Sequence, residues 1–145
     1  MPYQKIRGNT PEEYRQIFID TYCNPSKPIY TFDKILVKFY PDMFDHTFYE
    51  SDNWKKKDKS LFSYNRAEKI LWIKDALEDS TAILKVRYNS KTKTNDHSRR
   101  VAIVKNDFIV IIWMKNNKEA KFITAFQAYD SIDKIIQGPD WKGLK

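Results

Sequence analysis

Glycine is scarce in this chain: three among 145 residues, Gly8, Gly138 and Gly143. A loop that cradles phosphates needs several glycines close together, so chemistry driven by nucleoside triphosphates or dinucleotides finds no support. Cysteine is scarcer. Cys23 stands alone, which excludes an internal disulfide and points to a reducing, cytoplasmic compartment. A toxin domain delivered by a larger machine would carry the same mark. The only histidines, His46 and His97, lie far apart, and neither CxxC nor HExxH occurs. No metal site and no cofactor are therefore expected. No apolar stretch approaches the roughly 20 residues of a membrane span. The start, Met1-Pro2-Tyr3-Gln4-Lys5, lacks the apolar core of a secretion signal, so no membrane partner is expected.

What the chain has in excess is positive charge and aromatic surface. Lysine and arginine number 26 against 19 aspartates and glutamates, a formal charge of +7, which favours a polyanionic partner. Hydrophobic residues make up 41% and aromatics 15%, enough to build a core. The length suits one domain, taken as residues 1–145.

Thr10-Pro11-Glu12-Glu13 carries a cap, a proline suited to the first helical position and the glutamate of a capping box. A helix is expected there, with Tyr14, Ile17, Phe18 and Tyr22 as its apolar stripe, ending before Asn24-Pro25. Residues 27–40 read equally as strand or short helix. Residues 45–60 read as a polar, lysine-rich loop. A second helix is expected from about Ser63 to Glu78, its stripe made by Phe62, Ile70, Ile73 and Leu77. The period then changes to that of strands. Four are expected: 82–88, 100–104, 108–114 and 120–126, the last three a meander turning at Asn106-Asp107 and Asn116-Asn117. Residues 89–99 read as a long polar loop. Phe108 to Met114 is apolar without alternation, as in a central strand covered on both faces. Residues 130–137 read as a short last helix stopped by Gly138-Pro139. The fold class expected is α+β: N-terminal helices packed on a four-stranded antiparallel sheet, with a short C-terminal helix.

The candidates for chemistry are side chains alone. The imidazole of His46 has the right intrinsic pKa to take a proton from a ribose 2′-hydroxyl or return one to a leaving oxygen. Its plainer role is packing between Phe44 and Phe48. Glu50 stands near it. Arg66 falls in the middle of the second helix's apolar stripe, where it must thread outward or meet an anion. A phosphate and a buried ion pair with Asp42, Asp45 or Glu50 fit it equally. Lys85 and Arg87 share a strand face behind Ile83, and Arg99-Arg100 opens the next strand; such cations suit a phosphorane or plain solvated surface. Thr124 is expected on one face with Phe122 and Phe126, a hydroxyl between rings. Gln127 and Tyr129, at the strand's exit, suit base contacts.

The order of His46 in an aromatic stretch, Phe62, Arg66-Ala67-Glu68-Lys69-Ile70-Leu71-Trp72-Ile73 with Ala76-Leu77, four strands, and Phe122-Ile123-Thr124-Ala125-Phe126 in the last resembles a known group. It resembles the phage-associated branch of the nuclease superfamily that gathers barnase, the EndoU enzymes, colicin tRNA nucleases and RelE toxins. The resemblance spans about His46 to Gln127 and leaves 1–45 as a helical extension. It implies helices on a four-stranded antiparallel sheet. It also implies metal-independent RNA cleavage, in which the 2′-hydroxyl attacks the adjacent phosphate to give a 2′,3′-cyclic phosphate. The resemblance maps the catalytic roles onto His46, Arg66 and Thr124 and, more loosely, Lys85, Arg87 and Arg100. Arg99, Arg100, Phe126, Gln127 and Tyr129 remain as RNA contacts. The partners implied are tRNA or mRNA and, for a toxin of a mobile element, an acidic immunity or antitoxin protein. The alternative is a non-catalytic RNA- or protein-binding module of the same fold.

Overall fold

Thr10 starts the first helix as its sequence requires. Its hydroxyl accepts the Glu13 N–H at 3.2 Å, and the Glu13 carboxylate accepts the Thr10 N–H at 2.8 Å. This helix, α1, spans Pro11–Tyr22 and buries Tyr14, Phe18 and Tyr22. The computed structural model describes residues 4–50, 61–89, 94–128, 132–138 and 140–141.

The undecided segment 27–40 is extended. It forms β1 (Ile29–Tyr30) and β2 (Leu36–Lys38), antiparallel to each other through Ile29 opposite Val37. The expected loop over 45–60 begins instead as helix α2 (Met43–Phe48), which buries Phe44, Thr47 and Phe48 and leaves His46 exposed. The buried trio falls at i, i+3 and i+4, the spacing of one helix face. Strands β3 (Tyr49–Glu50) and β4 (Leu61–Phe62) pair beside it; the residues between them lie outside the described ones.

The second expected helix is broken in two, α3 (Tyr64–Ala67) and α4 (Trp72–Glu78), and Phe62 of its stripe belongs to β4. Tyr22 accompanies the break. Its hydroxyl donates to the Ile70 carbonyl at 2.5 Å and accepts the Lys74 N–H at 3.0 Å, the two groups that an unbroken helix would join directly. Ahead of that point the chain tightens to i→i−3 bonds, Lys69 N–H to Arg66 and Ile70 N–H to Ala67.

Then come β5 (Ile83–Asn89), β6 (Thr94–Lys105), β7 (Phe108–Met114), β8 (Glu119–Gln127) and α5 (Ile132–Ile136). The last three form the expected antiparallel meander and β5 pairs with β6 beside them, but the sheet is larger. It has six strands in the order β1-β2-β8-β7-β6-β5, and β2 runs parallel to β8. The expected four-stranded antiparallel sheet is thus corrected to a six-stranded mixed one. Its extra strands are two and three residues long, too short to show alternation. The long loop expected over 89–99 is mostly strand. Pairing jumps from Val86 opposite Val101 to Arg87 opposite Asp96, which lets the ladder absorb residues that break the alternating pattern. Asn106 makes the β6–β7 turn at φ 55°, a conformation that asparagine tolerates.

Helices α1 to α4 cover one face of the sheet. Phe18 lies at the centre, with rings of Tyr22, Phe39, Phe44, Phe48 and Phe122 between 5.3 and 6.4 Å away. Ile73 and Leu77 of α4 meet Val101, Ile103, Val110 and Ile112 there. On the opposite face Ile132 and Ile135 of α5 pack on Ala102, Val104, Ile109 and Ile111. The central strand β7 is accordingly covered on both sides, as its unbroken apolar run requires.

Candidate nucleic-acid interface

The second face of the sheet has two halves. α5 covers one; the other carries a row of cations about an indole. Register sets this row: Lys38 stands opposite Lys121, Lys121 opposite Trp113, and Trp113 opposite Arg100. Their neighbours Val37, Ile112 and Val101 belong to the helix-covered core, so alternation turns the row to the other side. Four strands at about 4.8 Å spacing give it a length of roughly 14 Å. Lys121, Trp113 and Arg100 are half-buried and Lys38 is exposed. The Lys121 ammonium lies 5.4 Å from the ring centre of Tyr40, itself 44% exposed. Glu119 is the acidic residue at this end, ion-paired with Lys38 at 3.6 Å and Lys115 at 3.4 Å.

The next row along is Thr124, Ile111, Ala102 and Lys85, again by direct register. Thr124 and Lys85 therefore share this face, three strand spacings or roughly 14 Å apart. The Lys85 ammonium is held by the Asp140 carboxylate at 2.6 Å and the Gly138 carbonyl at 3.1 Å, which tie Gly138 and Asp140 to the sheet edge. Phe126 lies on the same face, against the cluster under α5. Phe122 does not. Ile111 faces Thr124 while Ile112 faces Phe122, so Ile123 is an extra residue. This bulge reverses the alternation: Phe122 enters the main core and Thr124 points away from it. The expected sharing of a face by Phe122, Thr124 and Phe126 is corrected on that account.

Arg66 and His46 lie on the helix side. Ser63 caps α3, its hydroxyl accepting the Arg66 N–H at 3.2 Å. The half-buried guanidinium donates to the Thr47 carbonyl at 3.2 Å and so ties α3 to α2. Of the carboxylates considered for it, Asp45 is engaged by Arg15 at 2.5 Å. Arg66, Asn65 and Lys69 line a narrow cleft that closes on Phe108, Phe126 and Gln127, with about 10 Å3 of space, the room one water needs. Gln127 donates to the Asp107 carboxylate at 2.9 Å from the cleft wall.

The structure thus divides the sequence-derived candidates. Lys85, Arg100, Thr124 and Phe126 share the sheet's second face; Arg66 and Gln127 share the cleft; His46 is exposed on α2. The side chains of Glu50, Arg87 and Arg99, and all of Tyr129, lie outside the described residues. Lys38, Tyr40, Trp113, Lys121, Asn65 and Lys69 join them here. Their types, cation and ring in alternation, were visible in the sequence, but the faces were not. Among the described residues, no three His, Cys, Asp or Glu side chains gather to hold a metal ion, and no helix is long and apolar enough to cross a membrane.

Comparison with known proteins adds no neighbour: no family model, no curated protein and no solved structure matches the chain.

Proposed function

We propose that this chain binds RNA across the half of its sheet's second face that α5 does not cover. The observation that carries this reading is the cross-sheet row Lys38, Lys121, Trp113, Arg100, with Tyr40 beside it. Cations spaced along a groove hold a phosphate backbone, and an indole among them offers a stacking surface to any base. The excess of 26 basic over 19 acidic residues supplies the long-range attraction. Fluorescence anisotropy with a labelled single-stranded RNA at low salt tests it. Lys121→Ala should weaken binding and lower the slope of log affinity against log salt by about 0.7. Trp113→Ala should cost roughly tenfold or more, the worth of one stacked base. Wild-type protein that binds no RNA, or variants that bind as it does, would overturn the reading.

The second reading adds chemistry to the same face. Thr124 and Lys85 occupy the row next to the cations, and the resemblance to the phage-associated nuclease branch implies metal-independent cleavage through the 2′-hydroxyl. Their separation and the engagement of Lys85 by Asp140 mean that the two groups do not meet one phosphate as they stand. Cleavage would need RNA to displace Asp140 or to draw on His46 from the helix side. Incubation of cellular RNA with the protein in EDTA decides between binding alone and cleavage. A 2′,3′-cyclic product that disappears in Thr124→Val or His46→Ala supports the nuclease. Binding without product leaves the module.

A further inference from the structure

We propose that the cleft around Lys69 is a binding site for an oxyanion, a phosphate or sulfate group that presents one oxygen to the Lys69 ammonium. Lys69 is only 4% exposed, where lysine almost never sits without a charged partner. Its ammonium has three N–H groups, and the described residues supply one acceptor, the neutral amide oxygen of Asn65 at 2.8 Å. Its other contact is the Trp72 ring, 5.7 Å away, which the Lys5 ammonium also overlies at 5.9 Å. No described carboxylate lies within ion-pair distance of it. Glu68 is occupied by Arg7 at 2.9 Å and Lys5 at 3.6 Å, and Asp107 accepts from Gln127.

Among the described residues the Lys69 ammonium thus has no carboxylate in direct contact, and Glu68 and Asp107 act on it only from farther off. Arg66 and Lys69 line the same cleft, and Lys5 lies over the neighbouring Trp72 ring. Burial and the nearby Lys5 hold the Lys69 ammonium below the usual lysine range, against the opposite pull of Glu68 and Asp107. The open volume of about 10 Å3 admits one oxygen atom and not a base or sugar. A tetrahedral oxyanion fits by lodging one oxygen between Lys69 and the Gln127 wall while its remainder stays outside. This site is independent of the RNA contacts proposed for the other face of the sheet.

Inorganic phosphate is the probe, measured by calorimetric titration and by thermal unfolding against chloride at matched ionic strength. Phosphate should bind the wild-type protein and raise its melting temperature beyond chloride, by mass action on the native state. Lys69→Met should weaken phosphate binding by at least about tenfold, the loss of one charge-assisted hydrogen bond. That variant replaces a buried cation with an apolar chain of similar length, a change that is often neutral or stabilising. Lys69→Gln serves as a second uncharged variant. Equal effects of phosphate and chloride on the wild type, or equal phosphate binding in both variants, would overturn the site. Competition by an oligonucleotide bearing a 5′-phosphate, but not by its 5′-hydroxyl counterpart, would assign the oxyanion to an RNA end. Competition by neither would leave a free phosphate. An intact phosphate site with no RNA binding would remove the proposed function and keep this inference.

Discussion

Glu68 shows how much of the chain's N-terminal segment depends on single side chains. Its carboxylate takes Arg7 and Lys5, while its backbone carbonyl accepts the Ile6 N–H at 2.8 Å. Tyr14 adds a bond to the Ile6 carbonyl at 2.6 Å, and the Trp72 indole donates to Gln4 at 3.0 Å. Residues 4–7 are thereby fastened to the break between α3 and α4. The hydrogen bond from Arg7 lowers the Glu68 pKa below the ordinary glutamate value, and Arg7 and Lys5 lower it further by charge. A carboxylate whose pKa is depressed by folding stabilises the fold above its unfolded pKa, about 4.3, and loses that contribution as pH falls through the folded value. Unfolding midpoints measured from pH 7 downward should therefore show a loss below about pH 4.3. Glu68→Gln should flatten this loss and cost less than about 1 kcal/mol at neutral pH, because the partners are largely solvated. An unchanged acid profile in the variant would show that the contacts contribute nothing. At this scale the sequence was readable where chemistry is local. Thr10 and Glu13 announced their capping box; Glu68, paired across 61 positions, had no local signal.

Elements were legible where their period ran long enough to count. α1, β7 and the meander followed from capping, apolar run and turn residues. The break between α3 and α4 did not, because its partner is a tyrosine 48 residues earlier whose hydroxyl substitutes for one rung of the ladder. Tyr22→Phe tests whether that hydroxyl holds the break. Without it the Ile70 carbonyl and Lys74 N–H are left unsatisfied in a buried setting, at a cost of about 1–3 kcal/mol. Urea denaturation should show the loss as a lower midpoint with an unchanged slope. A variant as stable as the wild type would mean that α3 and α4 break for another reason, such as packing around Lys69. The bulge at Ile123 had the same kind of invisibility. Regular alternation separates Lys121 from Thr124; the extra residue puts both on the sheet's second face and sends Phe122 into the core. The candidate interface was therefore legible in residue type and illegible in orientation, since orientation depends on a pairing partner, Ile111, in another strand.

At the scale of the molecule, helices ahead of an antiparallel meander were foreseeable, but the return of residues 29–38 to the far edge of the sheet was not. β2 is held by β8, more than 80 residues downstream, and by no pattern of its own. That history predicts an uneven distribution of stability. β7 is bonded by β6 on one side and β8 on the other, and buried cores cover both of its faces. Its amides can exchange with solvent only when the whole sheet opens. β1 is an edge strand of two residues, bonded on one side alone among the described residues, and Tyr30 within it is 46% exposed. α5 is a helix of five residues, shorter than one that holds itself together, and depends on Ile132 and Ile135 for its place. Native-state hydrogen exchange should therefore give the slowest amides in β7 and its partners in β6 and β8, matching the free energy of global unfolding. The Tyr30 and α5 amides should exchange through smaller openings that leave the sheet intact. Protection in β1 equal to that in β7 would mean that the parallel pairing with β8 belongs to the same cooperative unit. The edge that carries Lys38 would then be as rigid as the sheet centre. The cation row would be preformed at full length, and RNA would bind without first ordering its outermost strand.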